Sequence, residues 1–206
     1  MAKLLLSTAY MPNLQYIRAI AQNKEVFCEQ YESFSKQTYR NRCQILAASG
    51  VINLTIPIVK ANSKHITRDT KISYAENWQS NHWHSIISAY NSSPFFEYFR
   101  DYFEKFYTKR YTFLIDYNNE ILEILLKILE IKTKIYPTKD YIFEGDDNYV
   151  DLRNVINPKK SQIDGINYYY SAPYPQVFDS KYRFCPNLSI IDILFNIGFE
   201  TREYVF

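Results

Sequence analysis

Residues 3–29 constrain the fold more strongly than any other stretch of the chain. An apolar run over residues 3–9 predicts a buried strand, and Asn13 is placed to cap a helix over residues 14–23. A second strand is predicted at residues 25–29. Strand, turn, helix and strand in this order form a βαβ unit, in which the two strands pair in parallel with a right-handed crossover. The fold class is therefore predicted to be α/β with a mostly parallel sheet.

The elements that follow complete this architecture. Residues 44–58 contain two apolar runs around Ser49-Gly50, which is typical of a β-hairpin. Apolar positions at helical spacing predict helices over residues 77–91, 95–109 and 112–131, with Asn77 capping the first of them. A strand at 133–136 and a terminal helix at 187–198, stopped by Gly198, are also predicted. The sequence shows no internal repeat or linker, so we expect one domain over residues 1–206 with a central hairpin and about three to five helices.

Charge and cysteine content exclude several classes of protein. The 24 basic and 22 acidic residues give a net charge of +2 and form no long single-sign block, so we expect no nucleic-acid partner. Cys28, Cys43 and Cys185 are scattered without metal-ligand spacing, which favours reduced thiols over disulfides or a metal site. The apolar run at the N-terminus is too short for a signal peptide or a membrane span. We therefore expect a cytoplasmic protein without membrane insertion.

Aromatic residues are unusually frequent, with 20 Tyr and 14 Phe against only four Gly. The rings could form the core and line a groove, or the composition could reflect the codon bias of an AT-rich genome. The run Tyr168-Tyr169-Tyr170 likewise leaves two interpretations open, a packing role or a platform on which a sugar or base stacks.

The segment Arg40-Asn41-Arg42 is the strongest candidate for a binding site. It precedes the predicted hairpin, where two guanidinium groups could meet a carboxylate or phosphate bidentately. It also follows the second strand closely, and open α/β sheets bind ligands at the carboxyl edge of their strands. Because a buried arginine without a partner is unfavourable, structural ion pairs are the alternative. We predict an anion-binding site here.

His82 is the candidate for proton transfer, because histidine is the side chain that titrates near neutral pH without help. It stands four residues after Trp78 and so shares a helix face with it. His82 and His84 do not share a face, and with the distant His65 they lack the spacing of a metal site. A packed, structural histidine is the alternative for His82.

Asp192 and Asn196 lie one turn apart in the apolar terminal helix. An acid in such a segment requires a partner, which could be Arg40 or Arg42, or a role in capping another element. Asn187 or Ser189 is predicted to cap the terminal helix.

Several segments in a fixed order along the chain resemble the WbqC-like family over nearly its whole length. They are residues 10–16 (YMPNLQY), 39–42 (YRNR), 54–57 (LTIP), Trp78 with His82, 174–176 (YPQ) and 188–196 (LSIIDILFN). The resemblance implies an association with bacterial O-antigen and other surface-polysaccharide gene clusters. It supports a role in the modification of sugar nucleotides but supplies no proven catalytic residues. This chain has Ala9-Tyr10-Met11-Pro12 where many relatives have a Gln-Pro-like turn.

From this family context we predict a transferase that places an acyl or aminoacyl group on a nucleotide-linked amino sugar. In this hypothesis Arg40 and Arg42 bind the phosphate-bearing ligand, His82 is the general base, and Asp192 orients His82 or an arginine. Asn41 and Gln176 would fix hydroxyl or amide groups. The predicted substrate-binding set is completed by Tyr10, Gln15, Asn187 and Asn196. The sequence assigns no cofactor, sugar, donor or oligomeric state.

Two other classes remain open at this stage. One is a non-catalytic protein of the same pathway that binds a nucleotide sugar or a protein partner; in that case His82 should be buried away from the arginines. The other is a nucleotidyltransferase-like enzyme that activates a carboxylate with ATP. The first loop lacks the paired histidines that such enzymes use, which is unfavourable for this class.

Overall fold

The computed structural model describes residues 3–60, 65–158 and 172–206. Its strands are β1 (Lys3–Ser7), β2 (Glu25–Glu29), β3 (Arg42–Ala47), β4 (Gly50–Thr55), β5 (Lys134–Pro137) and β6 (Tyr149–Asp151). Its helices are α1 (Leu14–Ala21), α2 (Trp78–Tyr90), α3 (Phe96–Glu104), α4 (Leu114–Ile128), α5 (Ile190–Ile197) and α6 (Thr201–Val205). The tyrosine run at 168–170 lies outside the described residues. The predicted α/β class is confirmed.

Four strands form one parallel sheet in the order β5-β2-β1-β6. From β1 the chain builds outward on one side through β2 and β5, and it then crosses to the other side of β1 to add β6. The order of the strands thus reverses between β1 and β6. In open α/β sheets such a reversal leaves a crevice outside the carboxyl ends of the strands, where ligands bind.

The crossover between β1 and β2 is α1, and its start follows from the sequence. Asn13 Oδ1 accepts a hydrogen bond from the backbone N–H of Tyr16 at 3.0 Å, which confirms the predicted N-cap. Leu14, Ile17 and Ile20 lie on the buried side of the helix. Burial of this apolar stripe in the core stabilises a helix too short to persist alone.

The predicted hairpin forms from β3 and β4 but stands apart from the parallel sheet as a two-stranded antiparallel ladder. Its turn places Gly50 at φ 105°, a backbone conformation that residues with a Cβ rarely adopt. After the hairpin, Lys71 and Ile72 form isolated bridges to Phe113 and Ile58, respectively.

The helices α2, α3 and α4 lie within the three predicted spans. Asn77 precedes α2, but its side chain makes no capping hydrogen bond, so that part of the prediction was wrong. Gly198 ends α5 with φ 63°, as predicted. A Cβ at this position would also lie 2.7 Å from the ring of Phe95, so glycine is required there for two independent reasons.

Rings dominate the core between these helices. Phe195 on α5 packs edge-to-face against Tyr90, Phe96 and Phe103, with ring centroids 5.2–5.8 Å apart. Tyr10 and Tyr117 are also fully buried. Within the described residues, a large share of the aromatic residues therefore serves packing, whatever the origin of the composition.

Candidate functional site

Buried ion pairs occupy the carboxyl edge of the parallel sheet. Arg40 donates from Nε and Nη2 to the two carboxylate oxygens of Glu32 at 2.7 and 2.6 Å, a bidentate pair. Nη2 of Arg40 also donates to Oγ of Ser7, the last residue of β1, at 2.8 Å. Arg40 is 5% exposed and Glu32 7%. This arginine thus lies at the end of a central strand and is held there by a carboxylate.

A second arginine joins the ends of the other strands. Arg153 donates from Nε to both oxygens of Asp151, at the end of β6, at 2.9 and 3.0 Å. Its Nη1 donates to Glu29, at the end of β2, at 3.2 Å. Glu29 is fully buried and also accepts from Oγ1 of Thr138, just beyond β5, and from the backbone N–H of Ile142. The carboxyl ends of β2, β5 and β6 are therefore joined through Glu29 and Arg153, and the end of β1 carries the adjacent pair of Arg40 and Glu32.

An open cleft of about 460 Å³, here called the strand-end cleft, borders this network. The space at the reversal between β1 and β6 itself is only about 10 Å³, because Ser7, Arg40 and Arg153 fill it. The strand-end cleft is lined by hydroxyl, amide, carboxylate, guanidinium and tyrosine side chains: Tyr31, Glu32, Ser33, Ser35, Arg40, Tyr141, Glu144 and Asn154. Room for a ligand thus lies beside the reversal rather than in it.

Side chains that line the cleft are held by a hydrogen bond and by a cation–π contact. Asn154 Nδ2 donates to Oε1 of Glu144 at 2.7 Å. The guanidinium of Arg153 lies 5.4 Å from the ring centre of Tyr141, within the range of a cation–π contact. Within the described chain, Nη1 of Arg40 makes no hydrogen bond, and it is not among the fully enclosed polar atoms. Arg40, which lines the cleft, therefore keeps one guanidinium nitrogen without a described partner, and the carboxylate of Glu144 is held by an amide.

The predicted pair of guanidinium forks does not form, and this is a correction. Arg42 is half-exposed, and its Nε donates to Oγ1 of Thr55 across the hairpin at 3.2 Å. Asn41 donates from Nδ2 to the carbonyl of Ile56 at 2.8 Å. Arg42 is the first residue of β3 and bonds to the partner strand, whereas Arg40 precedes β3 and forms an ion pair with Glu32. The two arginines therefore serve different parts of the molecule.

The first βα turn, the usual phosphate site of doubly wound folds, is closed by the chain itself. The N–H groups of Leu14 and Gln15 donate to the carbonyl of Leu188 and to Oδ1 of Asn187, at 3.2 and 3.1 Å. The N–H of Tyr16 is taken by Asn13. The N–H groups of the first helical turn are thus already paired. Gln15 and Asn187, both predicted to bind substrate, contact each other here, with Nδ2 of Asn187 3.4 Å from Oε1 of Gln15.

Ser189 fastens the same turn to the start of α5. Its Oγ donates to the carbonyl of Met11 at 2.9 Å rather than capping α5, and the N–H of Ile190 donates to the carbonyl of Pro12. Met11 has φ 40°, which is uncommon for a residue with a Cβ. Ser189 is the N-cap residue of α5, as predicted, but neither it nor Asn187 makes a side-chain capping bond, because both side chains stabilise the first βα turn instead.

His82 lies in an aromatic interior rather than in the strand-end cleft. Its Nδ1 is 3.0 Å from the hydroxyl of Tyr10, which is 3.1 Å from the hydroxyl of Tyr107. The ring of Trp78 lies 5.2 Å away, so the predicted shared helix face is observed. Burial lowers the pKa of His82 to about 4, with a hydrogen bond to the backbone of Thr55 acting in the opposite direction. His82 is therefore neutral and enclosed at pH 7.

Asp192 contacts neither His82 nor an arginine, which corrects the predicted orienting role. It is 1% exposed and accepts from the hydroxyls of Tyr90 and Tyr174 at 2.7 and 2.8 Å and from Nε2 of Gln176 at 2.9 Å. Burial raises the pKa of this carboxyl, and the three donors oppose the rise. Nδ2 of Asn196 donates to the carbonyl of Asp192 at 2.7 Å. These predicted site residues hold residues 174–176 against α5.

Metal and thiol chemistry find no support in the described part of the chain. No group of three or more His, Cys, Asp and Glu side chains that could hold a metal ion occurs among residues 3–60, 65–158 and 172–206. Burial raises the pKa of Cys28 to about 12 and raises that of Cys43 as well, so both thiols are protonated at neutral pH. Neither thiol is an activated nucleophile.

The sequence pointed to Arg40 but missed most of the residues around it. Glu32, Tyr141, Glu144 and Asn154 lie in irregular segments, where no period marks a side chain as inward or outward. The carboxylates at strand ends were the available signal. Glu29 is the last residue of a predicted strand, and Asp151 is only two residues from Arg153. These positions could have predicted a carboxylate and a guanidinium at the carboxyl edge of the sheet.

The fold and the site define an α/β protein with a polar cleft beside the carboxyl ends of a parallel sheet. The chain belongs to the WbqC-like protein family, whose model matches residues 8–160. It is similar to an uncharacterized protein of Mycobacterium tuberculosis, Rv1507c, with 25% identity over 221 residues that span 95% of this chain and 94% of the relative. No matching solved structure was found. None of the helices that the structure describes has the length and apolar character needed to cross a membrane.

Proposed function

We propose that this protein acts in the synthesis of a bacterial surface polysaccharide of the O-antigen type, where it binds a nucleotide-linked amino sugar. Membership of the WbqC-like family supports the pathway. The observation that carries the proposal is the strand-end cleft, a polar space at the edge of the sheet where α/β proteins bind their ligands.

The size and lining of the cleft suit a sugar. A volume of about 460 Å³ lies in the range of small-molecule sites, in which a few placed polar groups fix the orientation of the ligand. The hydroxyls of Ser33 and Ser35 and the amide of Asn154 can each donate and accept, as sugar hydroxyls require. The rings of Tyr31 and Tyr141 add apolar surface beside these groups.

The diphosphate of the ligand has a less obvious partner. Nε and Nη2 of Arg40 are bound to Glu32, so only Nη1 is left without a partner among the described residues. Arg42 belongs to the hairpin, and the N–H groups at the start of α1 are paired within the chain. We therefore assign the sugar, and not the diphosphate, to the cleft. The closed first turn is also unfavourable for the ATP-using alternative.

The reaction we propose is transfer of an acyl or aminoacyl group to the amine of that sugar. The amine nitrogen forms an amide with the acyl carbon, the leaving group of the donor departs, and the amine loses a proton. His82 is enclosed by Tyr10 and Trp78, so Glu144, the carboxylate of the cleft lining that Arg40 does not hold, replaces it as the group suited to accept this proton.

A non-catalytic protein of the same pathway that binds a nucleotide sugar is the second candidate, and the enclosure of His82 is the observation that favours it. Incubation of the protein with an amino-sugar nucleotide and an acyl-coenzyme A or aminoacyl donor distinguishes the two. A mass increase of the sugar nucleotide by the acyl group supports the transferase. Binding without any product, across donors of both classes, supports the non-catalytic protein.

The site itself is tested by calorimetric titration of nucleotide-linked amino sugars into the wild type and two tryptophan variants. Ser35→Trp fills the strand-end cleft, whereas Ser92→Trp adds the same side chain at an exposed position outside it. We expect wild type and Ser92→Trp to bind equally and Ser35→Trp to lose binding. Undiminished binding by Ser35→Trp would place the ligand elsewhere.

A further inference from the structure

Glu144 is an exposed carboxylate that lines the strand-end cleft, and no described residue gives it a cationic partner. Its Oε1 accepts from Asn154, and within the described residues it forms no ion pair. Glu32, the other carboxylate of the lining, is neutralised by its bidentate pair with Arg40. The negative charge of Glu144 is therefore the one that the lining leaves uncompensated.

Within the described residues, the surrounding network supplies no ion-pair partner for Glu144. Arg153 is bonded to Asp151 and Glu29, so these two guanidinium groups, Arg40 and Arg153, face four carboxylates when Glu144 is included. Arg68 is a third guanidinium beside the cleft, where its Nη1 donates to the hydroxyl of Tyr31 at 3.0 Å, but it forms no ion pair with Glu144. Glu144 is therefore the carboxylate of the lining that can take a cation from a ligand.

The free edge of Arg40 adds an independent requirement on the ligand. The side chain of Arg40 is only 5% exposed. Its Nη1 is a donor without a partner among the described residues. Such a donor needs an acceptor from water or from a bound molecule. The cleft thus presents a donor for an oxygen, which every sugar offers, and a carboxylate for a cation, which an amino sugar brings and a neutral sugar lacks.

We propose that Glu144 makes the strand-end cleft selective for the free-amine form of the sugar. The ammonium group binds the carboxylate of Glu144, and a ring or hydroxyl oxygen accepts from Nη1 of Arg40. The ammonium releases one proton to solvent before the neutral amine attacks the acyl carbon. Acylation removes the positive charge, so the N-acylated sugar binds more weakly and leaves the cleft. This inference rests on the proposed function and names the chemical state of its ligand.

The test compares matched pairs of nucleotide sugars that differ only in a free amine or its N-acetyl amide at C2 or C4, such as UDP-glucosamine and UDP-N-acetylglucosamine. Dissociation constants are measured for the wild type, for Glu144→Gln and for Asp147→Asn. The first variant keeps the shape and the acceptor for Asn154, and the second removes a charge from an exposed position outside the cleft lining. Charge-assisted hydrogen bonds predict that wild type and Asp147→Asn prefer the amine about tenfold, and that Glu144→Gln loses this preference.

Two other results overturn the inference and are distinguishable from each other. Equal affinity for amine and amide, with both abolished by Ser35→Trp, contradicts the selectivity and leaves the proposed function intact. If no member of any pair binds, or if Ser35→Trp does not weaken binding, the proposed function fails together with the inference.

Discussion

Two regions of this protein bury polar side chains, and they do so differently. At the carboxyl edge of the sheet, Arg40 and Arg153 neutralise carboxylates from several strand ends, and one face of the network opens on a cleft. In the interior, His82 and Asp192 are surrounded by tyrosine hydroxyls and an amide, with no opposite charge among their described contacts. The edge thus combines fixed charge with access, whereas the interior uses neutral hydrogen bonds to hold segments of the chain together.

The comparison separates motif residues from site residues. The histidine and aspartate that sequence reasoning selected for catalysis stabilise the interior, and Arg40 alone of the two selected arginines reaches the edge. The residue type and local sequence context selected all of these residues. Which of them lines a cleft depends on the long-range topology of the chain.

The largest effect is expected from Arg153→Ala, which breaks the charge network of the edge. Removing the guanidinium leaves Glu29, fully buried, and Asp151 without their cation. Breaking a buried ion pair in this way typically lowers the free energy of unfolding by about 3–5 kcal/mol. Urea denaturation measures it, with Arg42→Ala as the exposed control. A loss below about 1 kcal/mol would show that the network contributes little to stability.

The pH dependence of stability should show that His82 is neutral in the interior of the folded protein. The pKa of His82 is about 4 when folded and near 6.5 when unfolded, so the unfolded state binds more protons between these values. Stability is therefore lost as the pH falls from about 6.5 to 4, by about 3 kcal/mol, and this contribution levels off below pH 4.

Denaturation curves across this pH range check the prediction in His82→Gln and in His84→Gln, an exposed histidine on the same helix. His82→Gln should flatten the curve, and His84→Gln should not. Equal slopes in all three proteins would contradict a neutral, enclosed His82.

A smaller effect is expected from Asp192→Asn. The amide keeps the size of the carboxylate but presents an N–H₂ group to donors from Tyr90, Tyr174 or Gln176. One mismatched hydrogen bond of this kind costs about 1–3 kcal/mol of stability. Because burial raises the pKa of Asp192, the wild type loses stability as the pH rises through the folded pKa, and Asp192→Asn should remove that component. Thermal unfolding at several pH values tests both points.

The smallest effect is expected from Arg42→Ala. Arg42 is half-exposed and bonds to Thr55 on the hairpin, so stability should change by no more than about 0.5 kcal/mol and ligand affinity should not change. Arg40→Lys, in contrast, loses the bidentate fork to Glu32 and should weaken ligand binding. Loss of binding in Arg42→Ala would restore the paired-arginine site that the structure argues against.

The sequence was sufficient wherever structure depends on neighbouring residues. The βαβ start, the cap at Asn13, the hairpin turn at Gly50 and the stop at Gly198 all follow from local spacing and backbone preference. The order of the strands does not, because β6 is only three residues long and crosses to the far side of β1.

The same limit applies to the site. Arg40 stood out as a charge between two predicted elements, but Tyr141, Glu144 and Asn154 reach the cleft from irregular segments far along the chain. Their positions depend on the charge network through Glu29 and Arg153, which ties those segments to the strand ends. The periodic spacing of apolar residues, from which helices and strands are predicted, carries no information about such long-range contacts.

The most direct test of the central claim is a crystal structure of the protein with a bound nucleotide-linked amino sugar. We expect the sugar in the strand-end cleft, with an oxygen within hydrogen-bond distance of Nη1 of Arg40 and the amine against Glu144. A sugar bound instead against Tyr10 and His82 would contradict this account and return the site to the aromatic interior.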